Sequence, residues 1–232
     1  MVRFSLFGVR VTISPSLWLI LAVLGGLFNA SGMLNLLGVG LFAIAALLCL
    51  LTHEMGHALV GRKLGGGTPE ICLAWLGGDC SNPDARLTRT QGVVMTAAGP
   101  AASLLLGWFA LGLLGLYVDN LPAACYIALH AVFGTVPSGT WELGSPLGIL
   151  FFIDTICVCF WWSLFNLLPV FPLDGGQMMH GLMHSPRRMH FLSLVFACLF
   201  GVLFFLFGLW LMAALMLAMA FLNYRCSQQA PY

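Results

Sequence analysis

Charge is what this sequence has least of. Nine Lys and Arg and eight Asp and Glu make up 7% of its 232 residues, where soluble domains carry about a quarter. The net charge of +1 offers no basic surface for nucleic acid, and no polar stretch is long enough to form a separate soluble domain. Internal repeats and low-complexity tracts are absent, which rules out a repeat architecture. The first residues lack the small-residue cleavage site of a removable signal peptide. What remains is apolar: 60% of residues are hydrophobic and the mean hydropathy is +0.99. The chain therefore reads as an integral membrane protein, one domain with short connections. Eight cysteines would suggest disulfides in a small secreted protein. Here Cys49, Cys125, Cys157, Cys159 and Cys198 lie in or beside apolar runs as small hydrophobes, and the spacing of Cys72 and Cys80 matches no zinc pair.

Six spans are expected, at about residues 15–29, 36–64, 92–117, 147–168 with a broken extension to 185, 189–207 and 209–224. Residues 1–14 alternate apolar and polar, which suits a short strand or an interfacial segment. Residues 65–91 are rich in turn formers around the apolar run 71–76, which predicts a β-hairpin or re-entrant loop at the membrane face. Residues 121–136 read as a surface helix or loop, with an extra span as the alternative. The last apolar stretch, 191–222, would measure about 48 Å as one helix against a hydrocarbon core of about 30 Å. It is expected to fold back near Gly208. With the N-terminus cytoplasmic, all nine basic residues (Arg3, Arg10, Arg62, Lys63, Arg86, Arg89, Arg187, Arg188 and Arg225) fall on the cytoplasmic side, as does the C-terminus. The fold class expected is an all-α six-helix transmembrane bundle with that one small hairpin, in a cell membrane.

The second span ends in His53-Glu54-Met55-Gly56-His57. Histidines four apart on a helix stack one above the other, so both can face one metal ion, and the glutamate between them is a general base for hydrolysis. A carboxylate at the centre of a bilayer helix costs roughly 2.5–3.5 kcal/mol on insertion scales, so Glu54 marks a functional site. In the fourth span, Pro169, Pro172, Gly175 and Gly176 break the helix, and an opened backbone at membrane depth is tolerated only against a cavity or protein. Asp174, the only acid after residue 154, sits on that break as a candidate third ligand; capping the next helix is its alternative. Asn166 lies eight residues earlier and can reach the same cavity. His180 and His184 form a second i, i+4 pair, but they lack a carboxylate between them and precede Arg187-Arg188, which favours an interfacial polar face. His130, His190 and Asp154 read as hydrogen-bonding or packing residues.

These motifs resemble those of the site-2 proteases, intramembrane zinc metalloproteases. The likeness rests on His53 to His57, on Asn166-Leu167-Leu168-Pro169 leading to Pro172-Leu173-Asp174-Gly175-Gly176, on Glu70 to Gly78 as a membrane-embedded strand loop, and on Ala98-Gly99-Pro100 opening the third helix. It implies one zinc ion per chain held by His53, His57 and Asp174, with Glu54 as base and Asn166 beside the substrate carbonyl. It also implies a transmembrane protein substrate in the lipid bilayer and a minimal core enzyme without appended sensing domains. Ser103 stands where the family often has Asn, and Gln177 where a basic residue often follows the glycines; neither is expected to touch the ligands. A metal or ion transporter is the alternative from another class, and a zinc-binding scaffold without catalysis is a second.

Overall fold

A computed structural model describes residues 1–75, 77–135, 145–183 and 185–229. They form two compact units, residues 1–86 with 98–163 and residues 87–97 with 164–232, taken here in turn.

In the first unit the alternating N-terminal residues make a hairpin, β1 (Val2–Leu6) antiparallel to β2 (Val9–Ile13). Its turn residues Phe7 and Gly8 have φ of 48° and 76°, the left-handed pair whose twist suits a two-residue connection. Val9, Val11 and Ile13 are buried while Arg10 is exposed, as a half-covered strand requires. Pro15 then opens α1 (Pro15–Leu24), where its missing N–H costs nothing. Gly25 and Gly26 end that helix after ten residues, and a short 3-10 turn leads to α2 (Met33–Gly65). At 33 residues α2 is about 50 Å long.

Beyond α2 come β3 (Glu70–Ala74) and β4 (Gly77–Ser81). The expected hairpin is present, but it does not stand alone. β3 pairs in parallel with β2, Ile13 opposite Leu73, and the sheet runs β1-β2-β3-β4. The segment read as a strand or interfacial piece is thus half of a four-stranded sheet. Pairing β2 with β3 puts both strands at the C-terminal end of α2, so residues 14–32 must run back along that helix. They do: Gly25 lies against the ring of Phe42, and the alkyl groups of Leu17, Leu21, Ala43, Ala46, Leu50, Ala58, Ile71 and Leu73 share one core. The last turn of α2 is tied to the hairpin where Arg62 Nη1 donates to Phe7 O at 2.9 Å.

α3 (Arg89–Tyr117) carries Pro100 in its interior, as the expected span 92–117 implies, so Ala98-Gly99-Pro100 lies within the helix and does not open it. The proline removes the backbone donor that would serve the Thr96 carbonyl, and the hydroxyls of Ser103 and Ser163 lie beside the Pro100 carbonyl. α4 (Leu121–Val132) is capped by Asn120, whose side chain accepts from Ala123 N at 3.0 Å. At 12 residues, about 18 Å, it is short for a span. With residues 98–117 of α3 and the first part of α5 (Pro146–Asn166) it encloses Ala110, Leu114, Ala124, Ala128 and Ile156.

The second unit contains the end of α5, α6 (Asp174–Leu182), α7 (Pro186–Leu206) and α8 (Trp210–Gln229). The long final apolar stretch folds back as expected, at Gly208 with φ 73°. Val170, Leu173, Ala197, Met216 and Ala220 form its core. Through it runs a polar thread: Asn223, fully buried on α8, donates from Nδ2 to Phe171 O at 2.6 Å and to Met219 O at 2.8 Å. Its Oδ1 meets His190 Nδ1 at 2.9 Å, and Ser193 Oγ accepts from Phe171 N at 3.2 Å. α7 and α8 therefore grip the backbone of the broken segment on both sides of one residue.

Five described helices, α2, α3, α5, α7 and α8, are long and apolar enough to cross a membrane, one fewer than the six spans expected. The shortfall is α1, cut off by Gly25-Gly26. Replacing Asn223 by Leu is expected to lower stability by about 1–3 kcal/mol, the cost of leaving a buried carbonyl unmade, and to increase protease access to residues 167–173. Thermal unfolding and limited proteolysis in detergent would read both effects.

Candidate metal centre

One turn of α2 separates His53 from His57, and both side chains are buried. Their Nε2 atoms lie 3.2 Å apart, with ring planes at 81°. Two ligands at 2.0–2.1 Å from a tetrahedral zinc ion stand about 3.3–3.4 Å from each other. The pair is therefore already spaced for one ion. On its far side His53 is held: Nδ1 lies 3.2 Å from Ser103 Oγ, and Trp162 stands edge-on to the ring. Ser103 does touch a proposed ligand, against expectation, because residue 103 lies one helical turn beyond Gly99 on the face of α3 that meets α2.

That close meeting is written in glycines. A Cβ on Gly99 would overlap the His57 ring, and one on Gly56 would strike the Ala98 carbonyl. Lipid gives helices no hydrophobic reason to associate, so close backbone approach through small residues supplies the packing. Glu54, also buried, is backed from the other side by the sheet: a Cβ on Gly78 of β4 would fall on its carboxylate. The general-base candidate thus rests against the backbone of an edge strand.

In the second unit, α5 ends at Asn166 and α6 starts at Asp174, both buried. Leu173, not Asp174, occupies the N-cap position, so Asp174 is the first helical residue and does not cap the helix. Gly175 and Gly176 let α6 press against the preceding segment, since added Cβ atoms would meet the carbonyls of Leu167 and Leu168 and the backbone at Val170 and Phe171. Gln177 donates from Nε2 to Pro172 O at 3.0 Å and braces the same segment.

The remaining titratable groups take structural places. His130 bonds within α4 to Tyr126 O, His190 bonds to Asn223, and Asp154 is half-buried on α5. His184 lies outside the described residues, and with it the His180–His184 pair. Cys72 on β3 stands opposite Asp79, and Cys80 on β4 stands opposite Ile71. Burial pushes the Cys80 thiol up to about 12, and the neighbouring charges of Glu54 and Asp79 add to the shift. The glycines 56, 78 and 99 and the serines 103 and 163 were not read as site residues in the sequence. Polar hydroxyls inside apolar helices were the available signal for the serines.

The description of Peptidase family M50 matches residues 41–209, most of the chain. The chain belongs to peptidase family M50. Among similar proteins, a provisionally named zinc metalloprotease of Synechocystis sp. is 28% identical over 75% of this chain and 42% of its own length. The provisionally named zinc metalloprotease Rip3 of Mycobacterium tuberculosis is 30% identical over 62% of this chain and 30% of its own. The chain spans less than half the length of these relatives. The solved Site-2 Protease from Methanocaldococcus jannaschii shares the fold, with a TM-score of 0.55 at 19% identity over 97% of this chain and 94% of that one. With its long apolar helices, this M50 chain is a multi-pass membrane protein.

Two outcomes are expected. Gly99→Ala displaces the His57 ring and lowers metal content in purified protein, measured by elemental analysis. Cys80 is expected to react with maleimide at about pH 7–8 much more slowly than the exposed Cys72 of β3, because the thiolate is the reactive form and burial raises the Cys80 thiol; equal labelling rates at the two positions would contradict the burial argument.

Proposed function

We propose that this chain is a zinc-dependent intramembrane endopeptidase that hydrolyses a peptide bond in or near a transmembrane segment of another membrane protein. The observation that carries the reading is the buried His53–His57 pair, spaced for one ion, with Glu54 between them on the same helix. His53, His57 and Asp174, all three buried, are assigned as the ligands of one zinc ion. When bound, zinc supplies Lewis acidity that brings a water's pKa to about 7. Glu54 takes a proton from the attacking water and later passes one to the leaving amine. The Asn166 amide N–H donates to the oxygen on which charge develops.

A helical substrate hides its carbonyls in its own hydrogen bonds, so it must unwind before attack. β4 is an edge strand whose other neighbour is β3, and its Gly78 adjoins Glu54. An unwound segment added to that edge exchanges its helical bonds for strand pairing beside the base. In topology, the run of residues 14–32 back along α2 supports counting α1 with its following turn as a sixth crossing. The N-terminus and the C-terminus then face the cytoplasm, with the basic residues, in a cell membrane.

Cleavage of a single-span substrate in detergent or proteoliposomes tests the reading. Glu54→Gln is expected to retain zinc and to lose activity by about 100-fold or more, whereas His57→Ala loses the zinc itself. Turnover by Glu54→Gln at the wild-type rate would refute the base assignment.

A further inference from the structure

Ser103 on α3 and Ser163 on α5 are both fully buried, and their hydroxyl oxygens are 2.7 Å apart. Ser163 Oγ also lies 2.7 Å from Cys159 O. Longer contacts of Ser103 reach Gly99 O at 3.1 Å and Pro100 O at 3.2 Å, and Ser163 reaches Pro100 O at 3.3 Å. Distances near 2.7 Å are those of good O–H···O bonds, so each of the two shortest contacts needs a proton between its oxygens.

Only two hydroxyl protons are available, and this decides their direction. A carbonyl can only accept, so Ser163 donates to Cys159 O. The proton between the two serines must then come from Ser103. With its own proton committed, Ser103 can only accept at the 3.2 Å contact with His53, and Nδ1 of His53 must carry the hydrogen. The other ring nitrogen, Nε2, is left with its lone pair facing His57. Any other assignment leaves one 2.7 Å contact as two oxygens without a proton.

We propose that Ser103 and Ser163 form a positioning relay, anchored on the Cys159 carbonyl, that fixes the tautomer and orientation of His53 for metal binding. Neither serine touches the metal or the substrate. The inference rests on His53 being a ligand, as proposed above. Outer partners of ligating histidines typically matter by ~10- to 100-fold in metal affinity.

The test is zinc affinity of the full chain in detergent, measured by chelator competition, together with the visible spectrum of the cobalt(II)-substituted protein. Ser103→Ala is expected to weaken zinc by ~10- to 100-fold and to shift the cobalt bands, with the melting temperature of the metal-free protein little changed. Ser163→Ala is expected to weaken zinc to a smaller degree, and the double variant no further than Ser103→Ala, because the groups act in series. Ser103→Thr, which keeps the hydroxyl, is expected to restore affinity. Wild-type affinity and spectrum in Ser103→Ala would overturn the relay, as would a lowered melting temperature with unchanged affinity. Should Ser103→Ala fail to accumulate, Ser163→Ala decides alone: unchanged affinity there overturns the proposal. Failure of the underlying reading is distinct, since the wild-type chain would then bind no zinc.

Discussion

Two imidazole nitrogens 3.2 Å apart inside an apolar helix have no bulk water to separate them, and everything packed around residues 53–57 is arranged to hold them there. The α3 backbone presses on one ring at Gly99, a hydroxyl pins the other at Nδ1, and β4 closes on the intervening glutamate at Gly78. Each contact depends on a missing side chain or a small one. In lipid this is the available kind of precision, since helices gain little by burying more hydrocarbon against each other. The site is thus bounded by backbone, which does not change rotamer, and this suits a group whose direction matters to a fraction of an ångström.

Much of this was legible in the sequence because the bilayer makes polar residues conspicuous. His53, Glu54, His57, Asn166 and Asp174 stand out in apolar surroundings, and the double proline and double glycine after Leu168 announce an opened backbone. The long helices follow the uninterrupted apolar runs, which leave few alternatives. The misreadings share a cause. The ten-residue α1 and the parallel pairing of residues 10–13 with residues 70–73 both depend on partners distant in the chain. A local pattern reports which face is apolar but not what covers it. Ser103 illustrates this best: the sequence marked it as a departure, yet its contact with His53 follows from how α3 crosses α2.

The second unit uses the same economy with amides in place of glycines. A proline-broken segment cannot satisfy its own backbone, so other groups must. Asn223 and Ser193 take the two polar atoms of Phe171, and Gln177 takes the Pro172 carbonyl. The residues from Leu167 to Leu173 are irregular in shape but firmly held, and α6 begins from a fixed point.

The parallel partnership of β2 with β3 also carries a consequence for assembly. The first hairpin can close as soon as it is made, but its inner edge waits some sixty residues for β3, until α1 and α2 have both been synthesised. The strand that backs Glu54 is therefore the last of the sheet to be laid down. Glu54, made before either strand of the second hairpin, therefore gains its backbone wall only when Gly78 arrives, more than twenty residues later.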